Sequence, residues 1–431
     1  MLSHKLDGFK AWTVVLTGAL FYFYQFVIRV CPNVIGDDVM RDFSIDAGVW
    51  GLIVGLYYWT YSGMQLPLGI SMDRWGPKRI IAIAGFLCGV SCLAFALTPS
   101  VIVLGIARLF MGMGAACGFL GTLKLGSLWF SPLKFPRVIA TTMVFGTLGA
   151  NIGLTGLGYL TALVGWQSSM LILAIGGIVI ALITLLFVTD SPKPKQERRA
   201  DRLYAKKKAK EEHVFQGLFR IIKKPQAWLI ALYGTLMYVP LTLIGVAWGA
   251  PYLTTLYGDE GLALSIVGVM FIGAAVGSPF FAYLSNKMLS RRSPMMLGAI
   301  GAIVTYLVIL YVPGIPIFIM YALLFFAGFF YTAKTLSFAA ICEIMPRDEG
   351  GVTIGFCNMV VMISGVIFHP LIGYLLNVNW DGKIIAAKPI YSLYDYQFAL
   401  VTMPISLGLS LLALRFVQET HPGRFHEERK L

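Results

Sequence analysis

A chain of 431 residues that is 58% hydrophobic and 13% charged, with a mean hydropathy of +0.77, carries roughly half the charge of an ordinary soluble domain. Its net charge of +13 would suit a nucleic-acid binder, but Lys and Arg sit at the ends of apolar runs and in one central stretch, which points to membrane orientation and to no nucleic-acid partner. The six cysteines all fall inside apolar runs without metal-ligand spacing, so they read as small core residues and not as a disulfide framework.

Runs of roughly 20 apolar residues, the length that crosses a bilayer, begin with 11–35. Residues 1–30 imitate a signal peptide, but the run is too long, carries Arg29 and lacks a small-residue cleavage site, so it reads as a first spanning helix. On it Tyr22, Gln25, Arg29 and Asn33 are spaced to share one helical face. The second run, 47–71, carries Tyr58, Tyr61 and Gln65 on one face. It ends in Gly69-Ile-Ser-Met-Asp73-Arg74-Trp-Gly76-Pro77-Lys78-Arg79, the densest cluster of charge between two spans, where Gly76-Pro77 predicts a turn. The third run is 80–98 and the fourth 101–124, the latter with Arg108 ahead of Gly112 and Gly114 and with Lys124 near its end. Counted from the nearer loops, Arg29 and Arg108 both lie roughly 10 Å deep at about 1.5 Å per residue, so one shared cationic patch is expected. Arg108 can equally be structural, tied to carbonyls. Runs 137–163 and 168–188 complete the first six.

Residues 189–224 hold twelve basic and five acidic side chains, among them Lys206-Lys207-Lys208. They read as a solvated linker, with one surface helix resting on anionic lipid headgroups. Six further runs follow at 226–256, 262–285, 295–312, 315–342, 350–377 and 392–416. In the seventh, Tyr238, Thr242, Gly245, Gly249 and Tyr252 share a face, either a cavity wall or a seam of small residues. In the tenth, Lys334 shares a face with Tyr331 and Ser337 too deep for easy snorkelling, and is assigned to the cavity; snorkelling suits Lys124 better. His369, before Pro370 in the eleventh, is the one histidine inside a run. It is either a proton relay or a neutral hydrogen-bonded side chain.

If the N-terminus is cytoplasmic, 26 of the 34 Lys and Arg residues fall in inside segments and three (Arg41, Lys383, Lys388) in outside loops, so both termini are expected inside. The halves read as repeats. Asn286, Lys287, Arg291 and Arg292 stand between runs eight and nine as Asp73 to Arg79 stand between two and three, and Lys124 and Lys334 each precede a Pro-Arg pair by twelve residues. The expected domains are a six-helix bundle over 1–188, the linker 189–224 and a second bundle over 225–431 with a short tail. No Asp or Glu lies in the interior of a spanning helix, Asp395 standing at the very start of the last run, and buried cations without such carboxylates point to a solute that brings its own negative group.

The Gly69 to Arg79 stretch resembles the signature loop between the second and third helices of the major facilitator superfamily: Gly, three residues, Asp-Arg, any residue, Gly, then basic residues. Gly69, Asp73, Arg74, Gly76 and Arg79 match, and Pro77 stands where a basic residue is usual. Arg108 followed by Gly112-Met-Gly114 resembles the superfamily's fourth-helix motif. The resemblance implies twelve helices in two pseudo-symmetric halves that rock about a midplane cavity lined by helices 1, 4, 7 and 10. It also implies a gate at Asp73 and Arg74, and a binding or coupling role for Arg108. Residues Phe23 to Pro32 look like bacterial transporters of the phagosomal nutrient-uptake group and, more distantly, the lysosomal dipeptide branch. That implies an amino acid, short peptide or similar carboxylate-bearing solute, moved across the bacterial inner membrane. Sugar-phosphate and organic-anion transporters also place an arginine in helix 1, so a phosphorylated or dicarboxylic anion remains the alternative.

The candidate solute-binding residues are therefore Tyr22, Gln25, Arg29, Arg108, Tyr238, Thr242, Tyr331 and Lys334, with His369 as the candidate for proton coupling. The chain is expected to act as a monomer and without a cofactor or bound metal. No nucleophile elbow, phosphate-cradling loop or zinc spacing suggests an enzyme. A transport-dead sensor is the rival from another class, but the short tail after 416 leaves no expected signalling domain.

Overall fold

The computed structural model describes residues 8–131, 134–190, 214–346, 350–385 and 387–421. Most of the expected linker, 191–213, lies outside the described residues. Helix α1 (Phe9–Val30) is followed by α2 (Pro32–Phe43), whose Pro32 occupies the first helical position, where a missing N–H is tolerated and the chain can break direction. Helix α3 (Ala47–Trp75) stops at Gly76, whose φ of 84° suits glycine, and Pro77 opens α4 (Pro77–Leu97). The expected turn is thus in place. Helices α5 (Val101–Ala115) and α6 (Cys117–Trp129) together form the fourth run. The 53 residues of α7 (Phe135–Phe187) would be far longer than a bilayer is thick, and Gly165 (φ 81°, ψ 162°) breaks them into the fifth and sixth runs.

The second half follows the same plan. Helix α8 (Val214–Ile222) leads into α9 (Pro225–Leu243), a π-helical segment (Ile244–Trp248) and α10 (Gly249–Tyr257), which together make the seventh run. Then come α11 (Glu260–Lys287), α12 (Arg292–Tyr311), and α13 (Ile317–Tyr331) joined to α14 (Leu336–Glu343) by a 3₁₀ turn at Thr332–Thr335. Helix α15 (Gly350–Val378), a two-residue ribbon of β1 (Ile384–Ile385) against β2 (Lys388–Pro389), α16 (Leu393–Leu400) and α17 (Thr402–Phe416) complete the chain. Counted as crossings, these helices form the twelve-helix, all-α membrane architecture expected from the runs. Long apolar side chains such as Leu186, Phe187, Phe318 and Ile102 point outward, as they must toward lipid.

The chain packs as two compact units: residues up to Val30 with those from Leu56 to the end of α7, and Cys31–Gly55 with those from Gly217 onward. Lipid tails supply no hydrophobic drive between spanning helices, so packing falls to small residues and interhelical hydrogen bonds. In the first unit the Tyr24 hydroxyl donates to the Leu173 carbonyl at 2.6 Å and the Thr60 hydroxyl to the Leu109 carbonyl at 2.5 Å. A Cβ at Gly112 would fall far inside van der Waals contact with the Tyr57 carbonyl oxygen, so α3 and α5 touch backbone to backbone there.

In the second unit Tyr233 donates to the Met295 carbonyl (2.8 Å), Tyr252 to that of Ile309 (2.9 Å) and Thr235 to that of Val360 (3.1 Å). Residues 31–55 are knitted into this unit: the Ala47 N–H reaches the Tyr391 hydroxyl at 2.9 Å, and Lys388 pairs with Asp37. The Asn33 amide spans the π segment. Its Nδ2 donates to the Ile244 carbonyl at 2.9 Å and its Oδ1 accepts the Ala250 N–H at 3.0 Å.

Candidate functional site

In the first unit, the last turns of α1 and the middle of α3 and α5 converge on Tyr57. The Arg29 Nε donates to the Tyr57 hydroxyl at 3.4 Å, that hydroxyl donates to Gln25 Oε1 at 3.4 Å, and Arg29 Nη2 donates to the same oxygen at 3.2 Å. Phe26, Tyr61 and Tyr57 surround the guanidinium, their ring centroids 4.7, 4.6 and 5.9 Å from its Cζ. Aromatic faces attract a cation and shield it from lipid without neutralising it. The spacing of four residues between Gln25 and Arg29 and between Tyr57 and Tyr61 lets two adjacent helices build this cage.

Arg108 approaches the Tyr57 ring from α5, its Cζ 4.9 Å from the centroid, while its Nη1 donates to the Ile28 carbonyl at 3.2 Å and lies 3.7 Å from Met111 Sδ. The shared cationic patch is therefore present, and within it Arg108 grips the backbone beside Arg29. Tyr22 contributes a wall, packed against Phe26 and Phe119 at 5.1 and 5.6 Å between centroids. Gln25 is fully buried, and its Nε2 has no acceptor among the described residues. A buried donor left so costs about 1–3 kcal/mol.

The sequence face on α1 does not run on to Asn33. At Cys31–Pro32 the helix breaks, and Asn33 serves α9 and α10 in the second unit. On α3 the Arg29 guanidinium meets the Tyr57 hydroxyl and the Tyr57 and Tyr61 rings, and the Tyr58 ring lies edge-on to that of Tyr57 at 5.3 Å. Tyr57 and Tyr61 stack at 5.8 Å. Tyr57, Tyr61 and Gln65 recur every four residues just as well as the stripe counted from Tyr58, so spacing alone could not choose between them.

In the second unit Lys334 sits in the 3₁₀ turn and is 5% exposed, its Nζ 4.0 Å from the Tyr238 ring, 5.2 Å from Tyr331 and 5.8 Å from Phe338. The structure thus joins three of the sequence candidates, and burial sets aside snorkelling. Thr242 goes elsewhere: its hydroxyl lies 3.1 Å from Nε2 of His369, which is fully buried. The loop candidates occupy the α3–α4 turn, with Arg74 and Arg79 exposed and nothing near Gly69 for an added Cβ to meet. The Asp73 side chain lies outside the described residues.

The counterpart turn in the second half carries a network the sequence did not disclose. Arg291 pairs with Glu343 at 2.6 Å, and Glu419, beyond α17, accepts from the Ser290 hydroxyl at 2.5 Å and the Arg291 N–H at 2.8 Å. Asn286, at the place of Asp73, lies 3.4 Å from both Arg291 Nη1 and His421 Nε2.

Residues 15–369 and 231–430 match the family model of the Major Facilitator Superfamily. Among curated proteins, the chain is 23% identical to a probable galactarate/D-glucarate transporter of Bacillus subtilis, over 89% of this chain and 90% of that one. It is 21% identical to a probable sulfoacetate transporter of Cupriavidus necator (83% and 85% covered) and 22% identical to a hexuronate transporter of Bacillus subtilis (84% and 86%). Among solved structures, a bacterial homologue of the human lysosomal transporter Spinster shares the fold at a TM-score of 0.73 and 17% identity, over 96% of this chain and 98% of that one. The nucleoside transporter NupG shares it at 0.70 and 14%, over 94% and 99%.

Proposed function

Because the chain belongs to the Major Facilitator Superfamily, we propose that it is a secondary transporter of a small hydroxylated organic acid, a sugar acid or dicarboxylate, working by alternating access. The observation that carries this reading is the buried Gln25 amide donor placed beside the Arg29 guanidinium. Two converging donors, one of them charged, suit a carboxylate, which Arg meets through a planar fork. The relatives named for galactarate and glucarate, hexuronate and sulfoacetate all handle small organic acids. They favour the dicarboxylic alternative over an amino acid or peptide. Within the second unit, Lys334 is a buried cation held between Tyr238 and Tyr331.

The proposal places the protein in a bacterial cytoplasmic membrane with both termini inside, residues 1–188 and 225–431 as its halves, 189–224 as a linker against anionic lipid, and a monomer as the working unit. Asp73 and Arg74 serve as the gate, and His369 with Thr242 as the candidate proton site. His369→Gln should then abolish accumulation driven by a pH gradient in proteoliposomes while sparing solute exchange, and unchanged accumulation removes it from the mechanism.

The central test is binding of galactarate, D-glucarate, D-glucuronate, sulfoacetate and tartrate, beside alanine and dialanine, to the purified protein in nanodiscs. A charge-assisted hydrogen bond contributes about 1.5–3 kcal/mol, so Arg29→Gln should weaken binding of the acids about tenfold to a hundredfold. Arg29→Lys should keep the charge yet lose the fork. If Arg29→Gln binds the acids as wild type does, or if none of the five binds wild type, the proposal fails.

A further inference from the structure

We infer that Tyr57 is a positioning residue for acid binding, which fixes the plane of the Arg29 guanidinium through its hydroxyl. The inference rests on the reading of Arg29 as the anion-binding group. A tyrosine hydroxyl buried in a spanning helix requires polar partners, and Tyr57, with no exposed surface, takes both of its own from the same two side chains. It accepts from Arg29 Nε and donates to Gln25 Oε1, while Arg29 Nη2 closes the triangle on that oxygen. At 3.2–3.4 Å each bond is long, so none of them contributes much stability alone. Their joint effect is directional. Three bonds from two helices define the plane of a group that could otherwise turn about its own stem.

The rest of the surroundings keep that frame still. Phe26 and Tyr61 press on the guanidinium, limiting its tilt. The Tyr57 backbone is held against α5, its carbonyl abutting Gly112 and the nearby Thr60 hydroxyl donating to the Leu109 carbonyl. The Tyr57 ring also receives Arg108, which is itself tied to the Ile28 carbonyl one residue before Arg29. One ring thus accepts two cations, holding Arg108 as the brace of α1 and Arg29 as the group whose orientation is set. An oriented fork binds a planar carboxylate without first losing rotational freedom, the general advantage of preorganisation. Tyr57→Phe removes the hydroxyl and keeps the ring, so the Arg108 contact and the packing survive.

Two measurements separate positioning from packing. The first is a double-mutant cycle of Tyr57→Phe and Arg29→Lys, reading the Kd of the tightest-binding member of the five acids. Because two long, weak hydrogen bonds are at stake, Tyr57→Phe should weaken binding about threefold to tenfold when Arg29 is present and by less than about twofold beside Lys, which has no plane to orient. The second needs no ligand: in protein labelled with ¹⁵N-arginine, Tyr57→Phe should shift the Arg29 Nε–H resonance and speed its exchange with water, leaving Arg108 unmoved. Equal losses in both backgrounds would mean a structural tyrosine, and an unchanged Arg29 Nε–H resonance would overturn the inference whatever the ligand. Failure of all five acids to bind, or an Arg29→Gln protein that binds them normally, strikes the transport substrate instead, and the resonance still decides the role of Tyr57.

Discussion

Asn33→Leu tests how the seventh run keeps its π segment. A π turn shifts backbone pairing by one residue, and the Ile244 carbonyl and the Ala250 N–H that flank it are both bound by the Asn33 amide, at 2.9 and 3.0 Å. Leucine has nearly the same shape and can make neither bond. The Ala250 N–H left unpaired costs about 1–3 kcal/mol and the second bond lost at the Ile244 carbonyl about 0.5–1.5 kcal/mol, so stability should fall by about 1.5–4.5 kcal/mol, offset by about 1 kcal/mol for the apolar side chain that replaces the amide. Against a total of about 5–15 kcal/mol that is a large fraction. The assays are thermal unfolding in detergent and hydrogen exchange resolved to residues 243–251, where the Ala250 amide should lose its protection first. If Asn33→Leu unfolds at the wild-type temperature and Ala250 exchanges no faster, then the π segment does not depend on the clip and the reasoning fails.

Gly112→Ala should impair folding more than any glycine change facing lipid, since the added carbon meets the backbone oxygen of Tyr57 and not a side chain that can turn aside. Overpacking of this kind costs about 1–3 kcal/mol, and a wild-type unfolding temperature for Gly112→Ala would show that α3 and α5 are not in backbone contact. Glu419 supplies a pH prediction. Burial alone would raise its carboxyl, but the Arg291 N–H, the Ser290 hydroxyl and the amides of His421 and Thr420 bring it from 4.5 down to about 2. Its contribution is therefore complete above its ordinary value and fades as pH falls from there toward about 2. The difference in unfolding temperature between wild type and Glu419→Gln should be greatest near neutrality and shrink across that window, and a difference independent of pH would refute the tie to α12.

What could be read from the sequence follows how local each determinant is. The spans were legible because lipid demands about 20 apolar residues whatever surrounds them, and the turn at Gly76-Pro77 because both residues dictate their own dihedrals. Arg29 and Arg108 could be paired by depth alone, since the cost of burying charge singles them out and rise per residue places them. The 3₁₀ turn holding Lys334 and the π segment were not legible: hydropathy reads straight through both, and the groups that stabilise the π segment lie 211 and 217 positions away in the chain.

The choice of Tyr57 over Tyr58 shows where pattern reasoning runs out. Both are tyrosines in the same apolar run, one residue and about 100° of helical rotation apart, and either could head a stripe of polar side chains. The rotation of α3 is set elsewhere, by a glycine on α5 that admits the Tyr57 carbonyl and by a threonine at position 60 that donates to the Leu109 carbonyl. Gly112 was visible only as part of a motif beside Arg108, yet its missing side chain brings Tyr57 between the two arginines. In a spanning bundle the small residue on one helix thus decides which large residue of its neighbour reaches the site. Candidate positions on a span are better drawn from the neighbour's glycines than from the span's own polar stripe.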